Sequence, residues 1–383
     1  MELGEHAVLA PEYISTALAD TSSHSHLITE SAIMTADTKL TLGCLIPISD
    51  SKLAELQSVA NVHYWPDGKD VDRSKFPDID VLFGIPDGVK DLSELPRLKH
   101  VQLCSSGSDG GQNWPPMAAV KNGERDVSLS TASGAHALTI PNYVTAMVLN
   151  IYHQIPKQIL NAREKRTWTK DIDVYGRTYG IRQTRGRTAG LLGYGSLGRE
   201  SARLLKALGF SIIAANTSGS ARRQDGYIPP GGGDVEGKIP EKYYSTEDEE
   251  QVKDFLGQCD VLVASLPNTP KTRGFLTKER LGMLPPQAVL ISVGRGNVAT
   301  SEDILAALDA EDGLFGAALD VTDPEPLPDN HPLWTHPKVI VTPHCSGDPE
   351  GEMDITADVL MVNLDRLAKG EPVINRVDFK KGY

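Results

Sequence analysis

A glycine-rich turn constrains the fold of this chain more than any other feature. Gly193-Tyr194-Gly195-Ser196-Leu197-Gly198 lies between a predicted strand, 188–193, and a stretch, 197–208, whose leucines share one helical face. In that context the first glycine permits a tight turn, the second admits a pyrophosphate against the backbone, and the third allows close helix packing. The amides at the helix start would then face the phosphates. The alternative is a strand-to-helix turn with a structural role alone.

The pattern around this turn predicts an α/β protein. Apolar strands alternate with amphipathic helices, which is typical of parallel sheets that are covered on both faces. Strands are predicted before the turn at 40–46, 62–65, 81–83, 101–103 and 127–130, and after it at 210–215, 261–265, 289–293, 317–320 and 339–341. A segment rich in Pro and Gly, 218–246, predicts a surface loop inserted into this pattern.

A chain of 383 residues is long enough for two domains. Residues 138–152 predict an apolar helix that crosses from the first domain to the second, and residues 354–367 predict a helix that returns. We therefore predict two Rossmann-like domains with doubly wound parallel sheets. The dinucleotide-binding domain, 138–347, would be inserted into a flavodoxin-like substrate domain formed by 39–137 and 348–383.

Composition limits the partners and the location of the protein. A formal net charge of −13 disfavours non-specific binding to nucleic acid and to anionic membranes. Residues 1–38 lack Lys, Arg and the marks of a targeting signal, so we predict a loosely ordered extension of a cytoplasmic protein. Without C-x-x-C spacing, the cysteines predict reduced, buried thiols and no metal site. These cysteines are Cys44, Cys104, Cys259 and Cys345.

The residues that follow the second strand of the dinucleotide unit favour NADP over NAD. An acid about 20 residues beyond the glycines would bind the ribose 2′-hydroxyl of NAD. Asn216 stands there instead, and side chains that can hold a 2′-phosphate follow it. These residues are Thr217, Ser218, Arg222 and Arg223. The alternative is an NAD enzyme in which both arginines are solvated residues of the 218–246 loop.

Three ionisable residues follow three predicted strands, at the sheet edge where open α/β folds bind ligands. Arg295 lies between two glycines and can present a planar fork to a carboxylate. Glu325 lies between prolines that fix the direction of its backbone. His344 is suited to passing a proton near neutral pH. Each residue alone would predict a structural role, but their common placement predicts a reacting centre.

Together these motifs resemble the D-isomer-specific 2-hydroxyacid dehydrogenases over about residues 40–375. The specific part is an ordered set of short motifs within 259–347. The set comprises Leu266-Pro267-Asn268-Thr269-Pro270-Lys271-Thr272, Val293-Gly294-Arg295-Gly296, Gly316-Ala317-Ala318-Leu319-Asp320-Val321, Glu325-Pro326-Leu327-Pro328, His331-Pro332-Leu333-Trp334 and Thr342-Pro343-His344. The 218–246 loop is longer than is usual in the family.

The resemblance implies hydride transfer between NAD(P)H and C2 of a small 2-oxo or 2-hydroxy acid. Arg295 would bind the substrate, His344 would protonate the carbonyl oxygen, and Glu325 would hold and tune the histidine. The amides of Ser106 and Gly107 would bind the substrate carboxylate, although this segment is also compatible with an ordinary turn. Further cofactor contacts are implied at Leu266, Pro267, Thr272, Val293, Gly294, His344 and Gly347, and Asp320 would contact the nicotinamide carboxamide. The family also implies a homodimer.

Two other functions are compatible with this fold. Formate dehydrogenases of similar fold pair their histidine with glutamine, so Glu325 argues against formate as the substrate. A dinucleotide-sensing binding protein of the corepressor type is the alternative from another class, because such proteins can retain the Arg/Glu/His set.

Overall fold

The computed structural model describes residues 39–166, 173–174, 177–178 and 181–381. The predicted extension, 1–38, lies outside the described residues. Leu40–Tyr383 form one compact unit, which carries both main sheets. None of the helices in the described ranges combines the length and the apolar character that a membrane crossing requires.

The first sheet has five parallel strands in the order β2-β1-β3-β4-β5. Its strands are β1 (Thr41–Cys44), β2 (Asn61–Tyr64), β3 (Val81–Phe83), β4 (His100–Gln102) and β5 (Ser128–Ser130). The helices between them are α1 (Asp50–Val59), α2 (Asp109–Gln112) and α3 (Met117–Lys121). This strand order is the flavodoxin-like one, as predicted.

The second sheet has seven parallel strands in the order β10-β9-β8-β11-β12-β13-β14. Its strands are β8 (Thr188–Leu192), β9 (Ser211–Asn216), β10 (Lys242–Ser245), β11 (Val261–Ala264), β12 (Val289–Ser292), β13 (Gly316–Leu319) and β14 (Val339–Val341). Its helices are α6 (Ser196–Ala207), α7 (Glu249–Leu256), α8 (Lys278–Leu281) and α9 (Ser301–Asp309). The order is that of a Rossmann fold with one strand added. A short antiparallel pair precedes the sheet, β6 (Asp173–Val174) with β7 (Arg177–Thr178).

Three further helices connect the two sheets: α4 (Ile140–Tyr152), α5 (Ile155–Lys165) and α10 (Glu352–Ala368). Val144 and Val148 of α4 pack into the core of the second sheet, and Leu360 of α10 packs into the core of the first. The predicted crossing and return are therefore confirmed, and so is the two-domain α/β fold. The exact boundaries, at 137/138 and 347/348, stay a prediction.

The structure corrects two details. Strand β10 lies inside the segment predicted as a loop, 218–246. The sequence does not indicate this strand, because a short edge strand that buries Tyr244 alone gives no alternating apolar pattern. The cysteines are not all buried, since Cys345 is exposed and Cys104 is half-buried.

The long segment between β9 and β10 is held against the glycine turn by a buried arginine. Arg199 of α6 is only 5% exposed. Its guanidinium donates to the carbonyl oxygens of Asp234, at 2.5 Å, and of Arg222, at 2.7 Å. It also lies over the ring of Tyr194, 5.1 Å from the centroid. The insertion is therefore fixed to the helix that begins at the glycine turn.

We expect Arg199→Met to release this insertion, because two buried carbonyl oxygens lose a charged donor at a cost of about 2 kcal/mol. Limited digestion with chymotrypsin should cut the variant near Tyr227 several-fold faster than the wild type. Arg163→Met is the control, since Arg163 is an exposed arginine of α5 that lies outside the insertion. Equal digestion rates for the wild type and Arg199→Met would contradict this role.

Candidate active site

The three candidate reactive residues follow strands that are neighbours in the second sheet. Ser292, at the end of β12, pairs with Leu319, at the end of β13, and Leu319 pairs with Val341, at the end of β14. Their carboxyl ends therefore lie at one edge of the sheet. Arg295 follows β12 and His344 follows β14, as the sequence predicted.

His344 and Glu325 contact each other directly, with 2.5 Å between imidazole Nδ1 and carboxylate Oε1. Their side chains are 49% and 39% exposed, so a ligand can reach them. His344 has a φ of 51°, in the left-handed region that costs a non-glycine residue about 1 kcal/mol. Its amide lies 2.9 Å from the carbonyl oxygen of Asp320 and 3.0 Å from that of Thr342, which holds this conformation. Because Nδ1 is committed to Glu325, Nε2 is the nitrogen available for exchanging a proton with a ligand.

The loop that carries this histidine is tied to the carboxylate of Asp320, which is 3% exposed. Asp320 accepts hydrogen bonds from the hydroxyl of Thr342 at 2.6 Å, the amide of Cys345 at 3.1 Å, and the hydroxyl of Ser346 at 2.5 Å. The Tyr143 hydroxyl lies 2.9 Å from Thr342 Oγ1, and burial raises the pKa of Tyr143 to about 12. Asp320 therefore fixes the loop after β14, and its oxygens are already occupied within the protein.

Arg295 brings the second sheet into contact with a loop of the first. Its Nη1 donates to the carbonyl oxygen of Gly294 at 2.8 Å. Its Nη2 lies so close to Gly107 that a Cβ at that glycine would collide with it. Within the described part of the chain, the amides of Ser106 and Gly107 donate to no acceptor. The guanidinium and two open amides thus meet between the sheets, an arrangement suited to a carboxylate.

The glycine turn has the geometry that a dinucleotide needs. Gly193 has a φ of 97°, which favours glycine. A Cβ at Gly198 would collide with the carbonyl oxygen of Gly193, whereas a Cβ at Gly195 would meet nothing within 4 Å. The open backbone at Gly195 leads into the first turn of α6, whose free amides suit a pyrophosphate. The residues present therefore fit a dinucleotide cofactor.

Two predicted cofactor residues of the glycine turn direct their side chains at the inserted segment. The Tyr194 hydroxyl donates to Asp234 Oδ2 at 2.7 Å, and burial together with this carboxylate raises the pKa of Tyr194. Ser196 Oγ accepts a hydrogen bond from Gln224 of the insertion at 3.1 Å, so it too faces the inserted segment. Leu197 continues α6 directly after it.

The other predicted cofactor residues lie after β11 and β12. Leu266 and Val293 are buried, and the missing side chain of Gly294 lets its backbone contact Leu266. Thr272 Oγ1 lies 2.5 Å from the carbonyl oxygen of Pro267 and closes the turn between them. Gly347 lies beside the ring of His136, since a Cβ at this glycine would be 3.4 Å from that ring; His136 lies just before α4.

The segment after β9 presents one arginine without a charged partner. Asn216 ends the strand, and its carboxamide bonds to Ser218 N at 3.1 Å and to Ser220 O at 2.9 Å. The carbonyl oxygen of Thr217 accepts a bond from Ser245. Arg223 Nε lies 3.6 Å from Glu236 Oε1. Arg222 is exposed and, in the described ranges, its guanidinium pairs with no carboxylate.

His136 is a further residue of the site, and it lies beside the predicted carboxylate-binding loop. Its Nδ1 is 2.7 Å from Ser106 Oγ, and its Nε2 is 2.8 Å from Glu352 Oε1. No sequence pattern signals this contact, because its partners come from distant parts of the chain. The only local sign is a histidine just before the crossing helix.

Comparisons with known proteins place the chain among related sequences and structures. Residues 145–346, more than half of the chain, match the family model described as "D-isomer specific 2-hydroxyacid dehydrogenase, NAD binding domain". A glyoxylate/hydroxypyruvate reductase A from Photorhabdus laumondii is 34% identical over 246 residues, which are 64% of this chain and 69% of that protein.

Two solved structures are similar over nearly the whole chain. A D-isomer specific 2-hydroxyacid dehydrogenase family protein from Aeromonas salmonicida has 26% identity and a TM-score of 0.68, over 89% of this chain and 99% of that one. An NADPH-dependent glyoxylate/hydroxypyruvate reductase from Sinorhizobium meliloti, solved with NADP and sulfate, has 25% identity and a TM-score of 0.65, over 90% and 100%.

Two glycine variants test the geometry of the turn. Gly195→Ala should fold with an unchanged melting temperature, because its Cβ meets open space, yet lose at least tenfold in affinity for the dinucleotide. Gly198→Ala should lower the melting temperature, because its Cβ meets the carbonyl oxygen of Gly193. Calorimetric titration and thermal unfolding measure the two effects. Tight dinucleotide binding by Gly195→Ala would contradict the assignment of the turn.

Proposed function

The chain belongs to the family of D-isomer specific 2-hydroxyacid dehydrogenases, and from this premise we propose that it reduces a small 2-oxo acid to the D-2-hydroxy acid with NADPH. Family membership makes it an NAD(P)-dependent oxidoreductase. The substrate, the cofactor preference and the residue roles are the parts that we propose. The observation that carries the proposal is the contact of Arg295 with the Gly107 loop, beside the open amides of that loop.

The substrate is bound by Arg295 and by the amides of Ser106 and Gly107. A guanidinium and two backbone amides supply charge-assisted hydrogen bonds to a carboxylate, while Arg295 can also reach the 2-oxo oxygen. The site lies between the two sheets, so movement of the domains toward each other would exclude water and complete it.

His344 is the residue that transfers the proton. With Nδ1 held 2.5 Å from Glu325, its Nε2–H can be donated to the carbonyl oxygen as negative charge develops there. The Glu325 carboxylate stabilises the protonated imidazole before the transfer. The bound dinucleotide would supply the hydride that reaches C2. The turn from Gly193 to Gly198 and the start of α6 would hold its pyrophosphate.

We propose that NADPH is preferred over NADH. Asn216 ends β9 where NAD enzymes have an acid, so no carboxylate there would repel a 2′-phosphate. Arg222, exposed and unpaired in the described ranges, can supply a guanidinium to that phosphate, with Ser218 and Thr217 close to it in sequence. The similar reductase from Sinorhizobium meliloti is NADPH-dependent, which supports this preference.

The other functions are less well supported. The similar proteins with stated activities are reductases and dehydrogenases, so the dinucleotide-sensing binding protein is not favoured. A carboxylate rather than an amide holds His344, which is not the arrangement of formate dehydrogenases of this fold. Glyoxylate and hydroxypyruvate, the substrates named for the relatives, are the first acids to assay.

We further propose a cytoplasmic homodimer. The outer face of α5 carries apolar side chains that are 36%, 44% and 55% exposed, at Ile155, Ile159 and Leu160. Exposed apolar patches of this kind are typical of contacts between subunits, which agrees with the homodimer that the family resemblance implies.

His344→Ala should lower kcat by about 10²–10⁴-fold, the usual contribution of general acid catalysis. Glu325→Gln should lower kcat by about tenfold, because it retains a hydrogen bond to Nδ1 but not the charge that stabilises the imidazolium. Oxidation of NADPH with glyoxylate and hydroxypyruvate provides the assay. His153→Ala, at the end of α4, should behave as the wild type. Wild-type turnover in His344→Ala would refute the proton transfer.

Arg222→Ala should raise the KM for NADPH by about tenfold, since one charge-assisted contact to a phosphate is worth about 1.5 kcal/mol or more. The KM for NADH should stay within twofold. Arg163→Ala, at a surface arginine of α5, controls for loss of positive charge. If the KM values for NADPH and NADH rise equally in Arg222→Ala, Arg222 does not bind the 2′-phosphate.

A further inference from the structure

His136 joins three parts of the site that come from distant segments of the chain. Nδ1 contacts Ser106 Oγ at 2.7 Å, and Nε2 contacts Glu352 Oε1, at the start of α10, at 2.8 Å. A Cβ at Gly347, in the loop after His344, would lie 3.4 Å from its Cδ2. The imidazole therefore contacts the carboxylate-binding loop and the returning helix, and it lies beside the loop that carries His344.

The hydrogen bond between His136 and Glu352 has a defined direction. A carboxylate has no proton to give, so Glu352 accepts from the Nε2–H of His136. In the neutral ring, Nδ1 then accepts from the hydroxyl of Ser106. The His136 side chain is 11% exposed and that of Glu352 is 27% exposed, so water competes weakly for these bonds. Ser106 is thus held by His136, which is itself held by Glu352 of α10. We call this hydrogen-bonded series, Ser106–His136–Glu352, the relay.

The loop that this relay holds has other constraints, which leave its amides open. Ser105 Oγ donates to the carbonyl oxygen of Gly107 at 2.7 Å, and its own carbonyl oxygen accepts from Ala132 at 2.9 Å. These bonds fix the loop before and after Ser106, but among the described residues only His136 bonds to the Ser106 side chain. Without it, rotation of this segment would turn the two amides away from Arg295.

We propose that His136 is a positioning residue for carboxylate recognition, because through Ser106 it keeps the Ser106–Gly107 amides directed at the substrate carboxylate beside Arg295. This inference rests on the proposed function and adds a role for a residue that does not touch the substrate. On this account the relay Ser106–His136–Glu352 contributes to the affinity for acids. It leaves proton transfer by His344 unchanged.

The test compares two substitutions that each keep one end of the relay. His136→Gln places a donor near the former Nε2 and loses the contact with Ser106. His136→Asn places a polar atom near the former Nδ1 and loses the contact with Glu352. His336→Gln is the matched control, since His336 contacts Asp309 at 3.2 Å with a 10% exposed side chain. His336 precedes β14, at the opposite end of that strand from His344.

The readout compares the best 2-oxo acid of an activity panel with its methyl ester, which lacks the carboxylate charge. We expect His136→Gln to raise the KM for the acid about tenfold, equal to about 1.4 kcal/mol, with kcat within twofold. The KM for the ester should not change, and neither should the KM for NADPH. His136→Asn should recover most of the affinity for the acid. Competitive inhibition by oxamate should weaken in parallel with the KM for the acid.

Three results would overturn the inference. The first is an unchanged KM for the acid in His136→Gln. The second is an equal rise in the KM for the acid and for the ester in His136→Gln. The third is an equal rise in the KM for the acid in His136→Gln and His336→Gln, with matching falls in melting temperature. The last two results would indicate a structural role alone. A wild-type protein that oxidises NADPH with none of the acids would instead overturn the proposed function, and the inference with it.

Discussion

The carboxylate of Asp320 is the interaction on which the candidate site depends. It is nearly fully buried directly after β13, and it binds a hydroxyl and amides of the segment after β14. A buried carboxylate is stable only when its oxygens are satisfied, so this segment has one favourable arrangement. His344 lies within it, in a left-handed conformation that is held by the bonds of its amide to the carbonyl oxygens of Asp320 and Thr342. The position of the imidazole beside Glu325 follows from this anchor.

The parts of the site that could be predicted from the sequence are those with a local cause. The glycine turn is visible because its steric needs fall within six consecutive residues, and the apolar strands are visible because parallel sheets bury both faces. Arg295 and His344 follow from the rule that ligands lie beyond the carboxyl ends of such strands. The resemblance to a family added the partnership of Glu325 with His344, which no pattern alone contained.

The parts that could not be predicted depend on contacts between distant segments. His136 contacts Ser106 and Glu352 only after α10 has returned to the first sheet. The contact of Asp320 with the cofactor, which the resemblance implies, stays a prediction, whereas the bonds of its oxygens to the loop after β14 have no sign in the sequence. The sequence pattern predicts that Arg199 is an exposed residue of a helix, but it is buried because the insertion covers it. Strand β10 is too short for its edge position to show in the sequence.

The central claim is that hydride reaches C2 of a 2-oxo acid held by Arg295 while His344 protonates the oxygen. Reduction of hydroxypyruvate or glyoxylate with NADPH that carries deuterium at the transferred position tests it most directly, with mass spectrometry and chiral separation of the product. The account predicts one deuterium at C2 and, with hydroxypyruvate, only the D-hydroxy acid. A product without deuterium at C2, or one of L configuration, would contradict it.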